Sequence, residues 1–314
     1  MSNQLTFYSD TAEGWERSLM AFLGEKQRRS GSQRTPESYS RMLQHLFGTL
    51  GKPPDQVVSQ EVFAWAHGRG LSGKEPSAVT IGARMACLSS FYKFLIRMEI
   101  VASNPCDALE RPKVQPSPPK GLSADEIRRL LDIIPRTPSG LRDRAIVLTL
   151  ALTGRRRTEV LSLTRGDLSG DDGAVYYSYR GKGGKQVKRE LPRPAVQAIE
   201  EALAAWGKSL EEMDPKESLW PTPDKERAAQ GLGVTGGTFY GNLRGHLRKA
   251  GLPPAGVHIL RHSAAKLRRD AGESIEDVSR FLDHSSLAVT TVYLRRLEGQ
   301  EDRSWRKVAA AIGV

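Results

Sequence analysis

Three clusters of side chains in this sequence could act on a phosphate. In Thr153-Gly-Arg-Arg-Arg-Thr-Glu-Val160, three consecutive arginines follow an apolar run and a glycine. A planar guanidinium presents paired N–H donors that match phosphate oxygens, and Glu159, one turn on, is placed to hold it. A solvated charge cluster is the competing reading. In His258-Ile-Leu-Arg261-His262, His258 and Arg261 stand three apart and would share a helix face. His258 and His262 stand four apart, a spacing that also suits a metal, but zinc needs a third ligand and no carboxylate lies at a suitable distance. A buried structural histidine is the bland alternative. The third cluster pairs His284 with Tyr293, nine residues later. A tyrosine can be a nucleophile, although it is far more often packing.

Two other segments carry the letters of nucleotide-binding loops without their context. Gly231-Leu-Gly-Val-Thr-Gly236 has the letters of a dinucleotide loop but follows no apolar strand. Gly181-Lys-Gly-Gly-Lys185 lacks the arm and the hydroxyl residue of a phosphate loop. No acidic cluster suits Mg²⁺, and neither a metal nor any other cofactor is expected.

The charge balance suggests what meets these groups. Lys and Arg total 47 against 36 for Asp and Glu, a formal charge of +11 in 314 residues. Such an excess favours a polyanion, most economically nucleic acid. Hydrophobic residues at 39% allow folded cores. The mean hydropathy of −0.44 and the lack of a long apolar run predict no membrane span and no membrane partner. The N-terminus has no secretory pattern, and two lone cysteines, Cys87 and Cys106, predict reduced thiols and a cytoplasmic setting.

The elements that must position the clusters follow from periodicity. After a tail over 1–10, residues 11–110 carry four amphipathic helices, with apolar faces such as Trp15, Leu19, Phe22, Leu23 and Ile81, Met85, Leu88, Phe91. Ser59 opens a short helix carrying Val62, Phe63 and Trp65, and Thr35-Pro36 and Ser77 open longer ones. This all-helical unit ends at Asn104-Pro105. Residues 111–120 contain four prolines with Arg111, Lys113 and Lys120, a basic extended linker. From 121 to 298 a mixed unit begins at the capping box Ser123-x-x-Glu126. It continues with a buried helix over 141–152 and a hairpin of strands 174–179 and 186–191 around a basic glycine-rich tip. Helices are expected near 194–206, 238–250, 259–271, 275–283 and 286–292. A tail helix over 299–314 shows an apolar face of Trp305, Val308, Ala309, Ala310 and Ile312. The fold class is mainly α, with a small antiparallel sheet in the second unit.

Taken in order, Arg156, Lys182, His258, Arg261, His284 and Tyr293 resemble the tyrosine recombinase (phage integrase) family, of the Xer-like kind. Thr153-Gly-x-Arg156-x-x-Glu159 resembles its first arginine motif, Gly181-Lys182-Gly its hairpin lysine, His258-x-x-Arg261-His262 its second motif, and Leu282-x-His284-Ser-Ser with Tyr293 its last. The four-helix unit resembles its core-binding domain. The sequence departs from the pattern at Arg155 and Arg157, where the family favours apolar residues, and at Asp283, where it has glycine. The register to Glu159 selects Arg156. Aspartate tolerates left-handed backbone, so the turn at 283 is expected to survive, with the carboxylate raising the pKa of His284.

The resemblance implies a site-specific DNA recombinase needing neither metal nor ATP. Tyr293 would attack a scissile phosphate to leave a 3′-phosphotyrosyl bond. Arg156, Arg261 and His284 would stabilise its oxygens, Lys182 would protonate the leaving group, and His258 would take the proton of Tyr293. Glu159 and His262 would support them from behind. Double-stranded DNA is the implied partner, gripped by a homo-tetramer or a hetero-tetramer with a related recombinase. Arg84, Lys93, Arg97, Lys113, Lys120 and Lys185 are candidate phosphate contacts. A type IB topoisomerase, a telomere resolvase and a cleavage-silent DNA-binding regulator are the alternatives.

Overall fold

The computed structural model describes residues 15–30, 34–70, 73–113, 121–171, 173–180 and 186–283. The chain divides into two compact units, Met1–Pro116 and Ser117–Val314.

The first unit is built from α1 (Trp15–Ser30), α2 (Arg34–Leu50), α3 (Ser59–His67) and α4 (Ala78–Arg97). Their apolar faces meet in a core of Leu19, Phe22, Leu43, Leu46, Met85, Leu88, Phe91 and Leu95. The rings of Phe22 and Phe91 pack edge-on at 5.2 Å, a favoured aromatic geometry. Ser77 caps α4, its hydroxyl accepting from the Thr80 amide at 3.2 Å. Asn104 closes the unit through bonds to Ser89 and Asp107. Helix α4 is, among the described residues, the one helix long and apolar enough to cross a membrane, and half of that stretch is buried in the unit's own core, where a core helix has the same length and composition. Both cysteines are buried free thiols.

Several expectations for this unit need correction. Helix α2 begins at Arg34 rather than after Thr35, with Pro36 in its first turn. Phe63 lies outside the core at 52% exposure and stacks on His67. Arg84, expected among the surface cations for phosphate, is buried. Its guanidinium donates to the carbonyls of Trp65, Ala66 and Gly68 at 3.1, 3.0 and 2.7 Å. It caps the C-terminus of α3, where a helix leaves carbonyls without partners and favours a cation.

The second unit comprises α5 (Ala124–Ile133), α6 (Pro138–Thr153), α7 (Arg157–Leu161), β1 (Leu168–Asp171), β2 (Ala174–Arg180), β3 (Gln186–Glu190), α8 (Arg193–Ala204), α9 (Lys225–Ala229), α10 (Gly236–Lys249), α11 (His258–Asp270) and α12 (Ile275–Phe281). The Ser123–Glu126 capping box forms as expected. The hairpin supplies two strands of a three-stranded sheet: β1, too short and polar to read from the sequence, adds an edge, giving the antiparallel order β1-β2-β3. The short helices α7 and α9 were also not expected.

Helix α6 is the axis of this unit and packs against α8, α11, α10 and α7. Ala145, Ile146, Leu150, Ile199, Leu203, Trp220, Phe239 and Leu260 fill the space around it. It is less uniformly apolar than its sequence suggests. Arg142 and Asp143 are buried together at 2.8 Å, and Asn242 donates to the same carboxylate at 2.9 Å. Arg142 also donates to the Pro221 carbonyl, so each buried charge has partners. A pair buried this deeply is costly to break from one side.

Arg84→Ala is expected to lower stability by about 3 kcal/mol, since it strips donors from buried carbonyls at the end of α3. Thermal or denaturant unfolding of the purified variant measures this, and surface Lys93→Ala, exposed on α4, is the neutral control.

Candidate active site

The first arginine motif is placed by the abrupt end of α6. Gly154 takes φ +62° and returns its amide to Leu150. A left-handed cap suits glycine. The packing requires it as well, because a Cβ here would lie 2.6 Å from Phe281 and 2.8 Å from Leu282. The chain then turns so that Arg155 points inward and Arg156 remains partly exposed.

Arg156 is held by Glu159 in two ways. The carboxylate accepts the Arg156 amide at 2.8 Å and its guanidinium at 2.7 Å. Glu159 is buried, whereas the Arg156 side chain keeps 37% of its exposure. The guanidinium is thus braced from behind with its outer edge open to solvent. Trp220, fully buried, donates to the Val160 carbonyl at 2.6 Å and fixes the short helix that carries Glu159.

Helix α11 supplies the second motif. Arg261 is buried and donates to the carbonyls of Gly154 and Leu282, each at 2.6 Å. One side chain therefore ties the ends of α6 and α12 to α11. His258 stands at the first turn of the same helix and is exposed. Loss of ring hydration and the nearby charges of Arg261 and Arg156 lower its pKa below the ordinary histidine value. Arg261 meets the Gly154 carbonyl, two residues before Arg156, and stands one helical turn from His258, so the two arginine motifs lie together. His262 packs edge-on against His258 at 5.2 Å, and burial, His258 and Arg261 push its pKa down to about 4. Among the described residues no group of three or more His, Cys, Asp or Glu side chains is arranged to hold a metal.

Arg155, expected only as a departure from pattern, is a structural centre. It donates to Asp283, to the Tyr179 hydroxyl and to the Phe281 carbonyl. Tyr179 donates to the same Asp283 oxygen, and Arg189 reaches the other carboxylate oxygen at 2.9 Å. Asp283 adopts φ +52°, the left-handed turn expected of it. Burial favours its neutral form, but the hydrogen bond from Tyr179 and the charges of Arg155 and Arg189 outweigh this and hold its pKa below the usual value. Two guanidinium groups, Arg155 and Arg189, balance the charge of this carboxylate; His284, whose pKa it was expected to raise, lies outside the described residues.

Sequence reasoning missed Tyr179 and Arg189. The signal was present: Tyr177 pairs with Arg189 across the ladder, so Tyr177, Tyr179 and Arg189 share one face. Lys182, Lys185, Lys120, His284 and Tyr293 lie outside the described residues. Of the remaining candidate DNA contacts, Lys93 and Lys113 are exposed, and Arg97 is paired with Glu25 at 2.9 Å.

Residues 120–299 match the model of the phage integrase family. The tyrosine recombinase XerC of Xanthomonas campestris pv. campestris is 31% identical over 281 residues, covering 84% of this chain and 79% of that protein. The tyrosine recombinase XerD of Oceanobacillus iheyensis is 31% identical over 244 residues, covering 76% and 78%. The fold is similar to that of a lambda integrase dimer bound to a COC′ core site, with TM-score 0.66 and 18% identity over 91% of this chain and 96% of that one. It is also similar to XerH bound to palindromic difH substrate, with TM-score 0.66 and 17% identity over 97% and 89%.

Two outcomes are expected. Gly154→Ala should lower the melting temperature and weaken the site, since it combines a strained φ with a clash against Phe281. Because the pKa of His262 is pushed down to about 4 in the fold from an ordinary value of 6.5, the unfolded chain binds more protons in that window. Stability should therefore fall as pH falls from about 6.5 to about 4, and His262→Asn should flatten this limb in denaturant titrations.

Proposed function

Because the chain belongs to the phage integrase family, and is thus a site-specific recombinase that cleaves and rejoins DNA strands, we propose that its chemistry proceeds through a covalent 3′-phosphotyrosyl bond on Tyr293. The observation that carries this reading is the meeting of the two arginine motifs, where Arg261 donates to the Gly154 carbonyl one helical turn from His258, with Arg156 braced by Glu159 and still open on one edge.

The Tyr293 oxygen attacks phosphorus in line, and the bond from phosphorus to the 5′-oxygen breaks. His258 accepts the tyrosine proton. Its lowered pKa keeps it neutral at pH 7 and able to do so. Lys182 gives a proton to the departing 5′-oxygen. Arg156 and His284 donate to the non-bridging oxygens, and the fixed charge of Arg261 adds to the field that stabilises the transition state. His262 packs behind His258, and Glu159 behind Arg156. The phosphotyrosyl ester retains the energy of the broken bond, so a 5′-hydroxyl from a second duplex can reverse the step without ATP.

Strand exchange needs two duplexes and hence several protomers. We assign the apolar face of residues 299–314 to docking on a neighbouring subunit, building a homo-tetramer or a mixed tetramer with a related recombinase. The helical unit and the exposed cations Lys93 and Lys113, with Lys120 and Lys185, would grip the duplex backbone. The substrate implies work in the cytoplasm, at the nucleoid.

The test uses duplexes with a randomised centre, selected by binding to the chain and then nicked so that cleavage is trapped. The wild-type chain should give a covalent adduct on a denaturing gel, and Tyr293→Phe should give none. Arg156→Ala should bind but form adduct roughly 10²–10³-fold more slowly. Affinity should fall steeply with added salt. An adduct that persists in Tyr293→Phe would overturn the nucleophile assignment.

A further inference from the structure

Asp283 combines a strained backbone with an unusually well-partnered side chain. Only Glu99 and Asp283 are non-glycine residues with positive φ among those described. Glu99 lies in the turn after α4 and has no such partners in view. Asp283 is bound from three separate parts of the second unit: Arg155 after α6, Tyr179 on β2 and Arg189 on β3. Arg155 also donates to the Phe281 carbonyl at the end of α12 and lies over the rings of Tyr179 and Phe281 at 5.1 and 5.6 Å. Arg155 is 2% exposed and Asp283 26%, so this ion pair is shielded from screening far better than a surface bridge.

The positions joined by this cluster are what give it meaning. Arg155 directly precedes Arg156. Tyr179 and Arg189 lie on the two strands that flank residues 181–185, which contain Lys182. Asp283 directly precedes His284. A single carboxylate therefore fastens together the approaches to three residues assigned to one phosphate. A local turn would need only a residue that accepts the left-handed backbone, and glycine does this with less strain. The three donors from three elements have no role in that turn.

We propose that Asp283 is a positioning residue: through Arg155, Tyr179 and Arg189 it latches the exit of α12 to strands β2 and β3 and to the turn after α6, and so sets Arg156 for cleavage. This rests on the recombinase reading of the site. The latch acts on the rate of the chemical step. The duplex is gripped elsewhere, so affinity is insensitive to it.

Asp283→Gly separates the latch from the turn, because it preserves the backbone conformation and deletes the carboxylate. With the selected nicked duplexes at saturating enzyme, this variant should form adduct roughly 10- to 100-fold more slowly, the range expected for modest misplacement of reacting groups. Its affinity in mobility-shift titrations should match the wild type. Asp283→Asn, which keeps an acceptor and tolerates the same backbone, should recover part of the rate. Native hydrogen exchange gives a readout independent of activity: peptides spanning 174–180, 186–190 and 275–283 should lose protection together in Asp283→Gly. If the glycine variant does not fold, Tyr179→Phe carries the same test, with a smaller fall in rate and a joint loss of protection. Wild-type cleavage by the glycine variant, or loss of protection confined to 275–283, would overturn the latch. Absence of adduct from the wild-type chain itself would instead count against the recombinase reading, and the exchange experiment would still decide the latch.

Discussion

Like charges impose the main constraint on this site. Arg155, Arg156 and Arg261 have to be held in one small region before any anion arrives, and unpaired guanidinium groups so placed would repel one another and resist burial. Each is satisfied differently. Arg155 is matched by a carboxylate and a phenol. Arg156 leans on Glu159 and keeps an open edge. Arg261 is anchored to two backbone carbonyls, which balance its donors without cancelling its charge. What remains is an electropositive surface whose geometry is set in advance, the condition under which electrostatic stabilisation of a transition state costs least reorganisation.

The rest of the second unit follows from this need. Helix α6 must stop abruptly so that consecutive arginines diverge, and Gly154 provides the stop. Helix α12 must approach closely enough for its last carbonyls to meet Arg155 and Arg261, which leaves no room for a side chain at 154. Burial, with the same charges, lowers the pKa of His258 and so places a neutral imidazole beside two cations. In the proposed mechanism, fixed guanidinium groups, a neutral imidazole and an attacking tyrosine would together provide what phosphoryl transfer requires: positioning, charge stabilisation and proton transfer.

Features carried by local rules were readable from the sequence. The Ser77 and Ser123 caps, the helical spacing of His258 and Arg261, and the hairpin strands all depend on neighbours a few residues away, and the structure has them. The link between Arg156 and Glu159 was legible for the same reason. Features that depend on distant partners were not. Arg84 reads as a surface cation until the end of α3 is brought beside it. Arg142 and Asp143 look out of place in an apolar helix until Pro221 and Asn242 arrive. Arg155 and Asp283, 128 residues apart, each look like an isolated departure and make sense only as a pair. Strand β1 carries too little hydrophobic pattern to identify itself and exists because β2 offers it an edge.

The proposed function depends on one tyrosine taking a DNA phosphate while the surrounding cations hold it. Mass spectrometry of a protease digest of the trapped adduct tests this most directly, because it identifies both the residue and the end of the DNA to which it is joined. The expected result is a single peptide containing Tyr293, linked through phosphate to the 3′ end of the cleaved strand, with a free 5′-hydroxyl on the other fragment. Attachment to any other residue, or to a 5′ end, would contradict the claim.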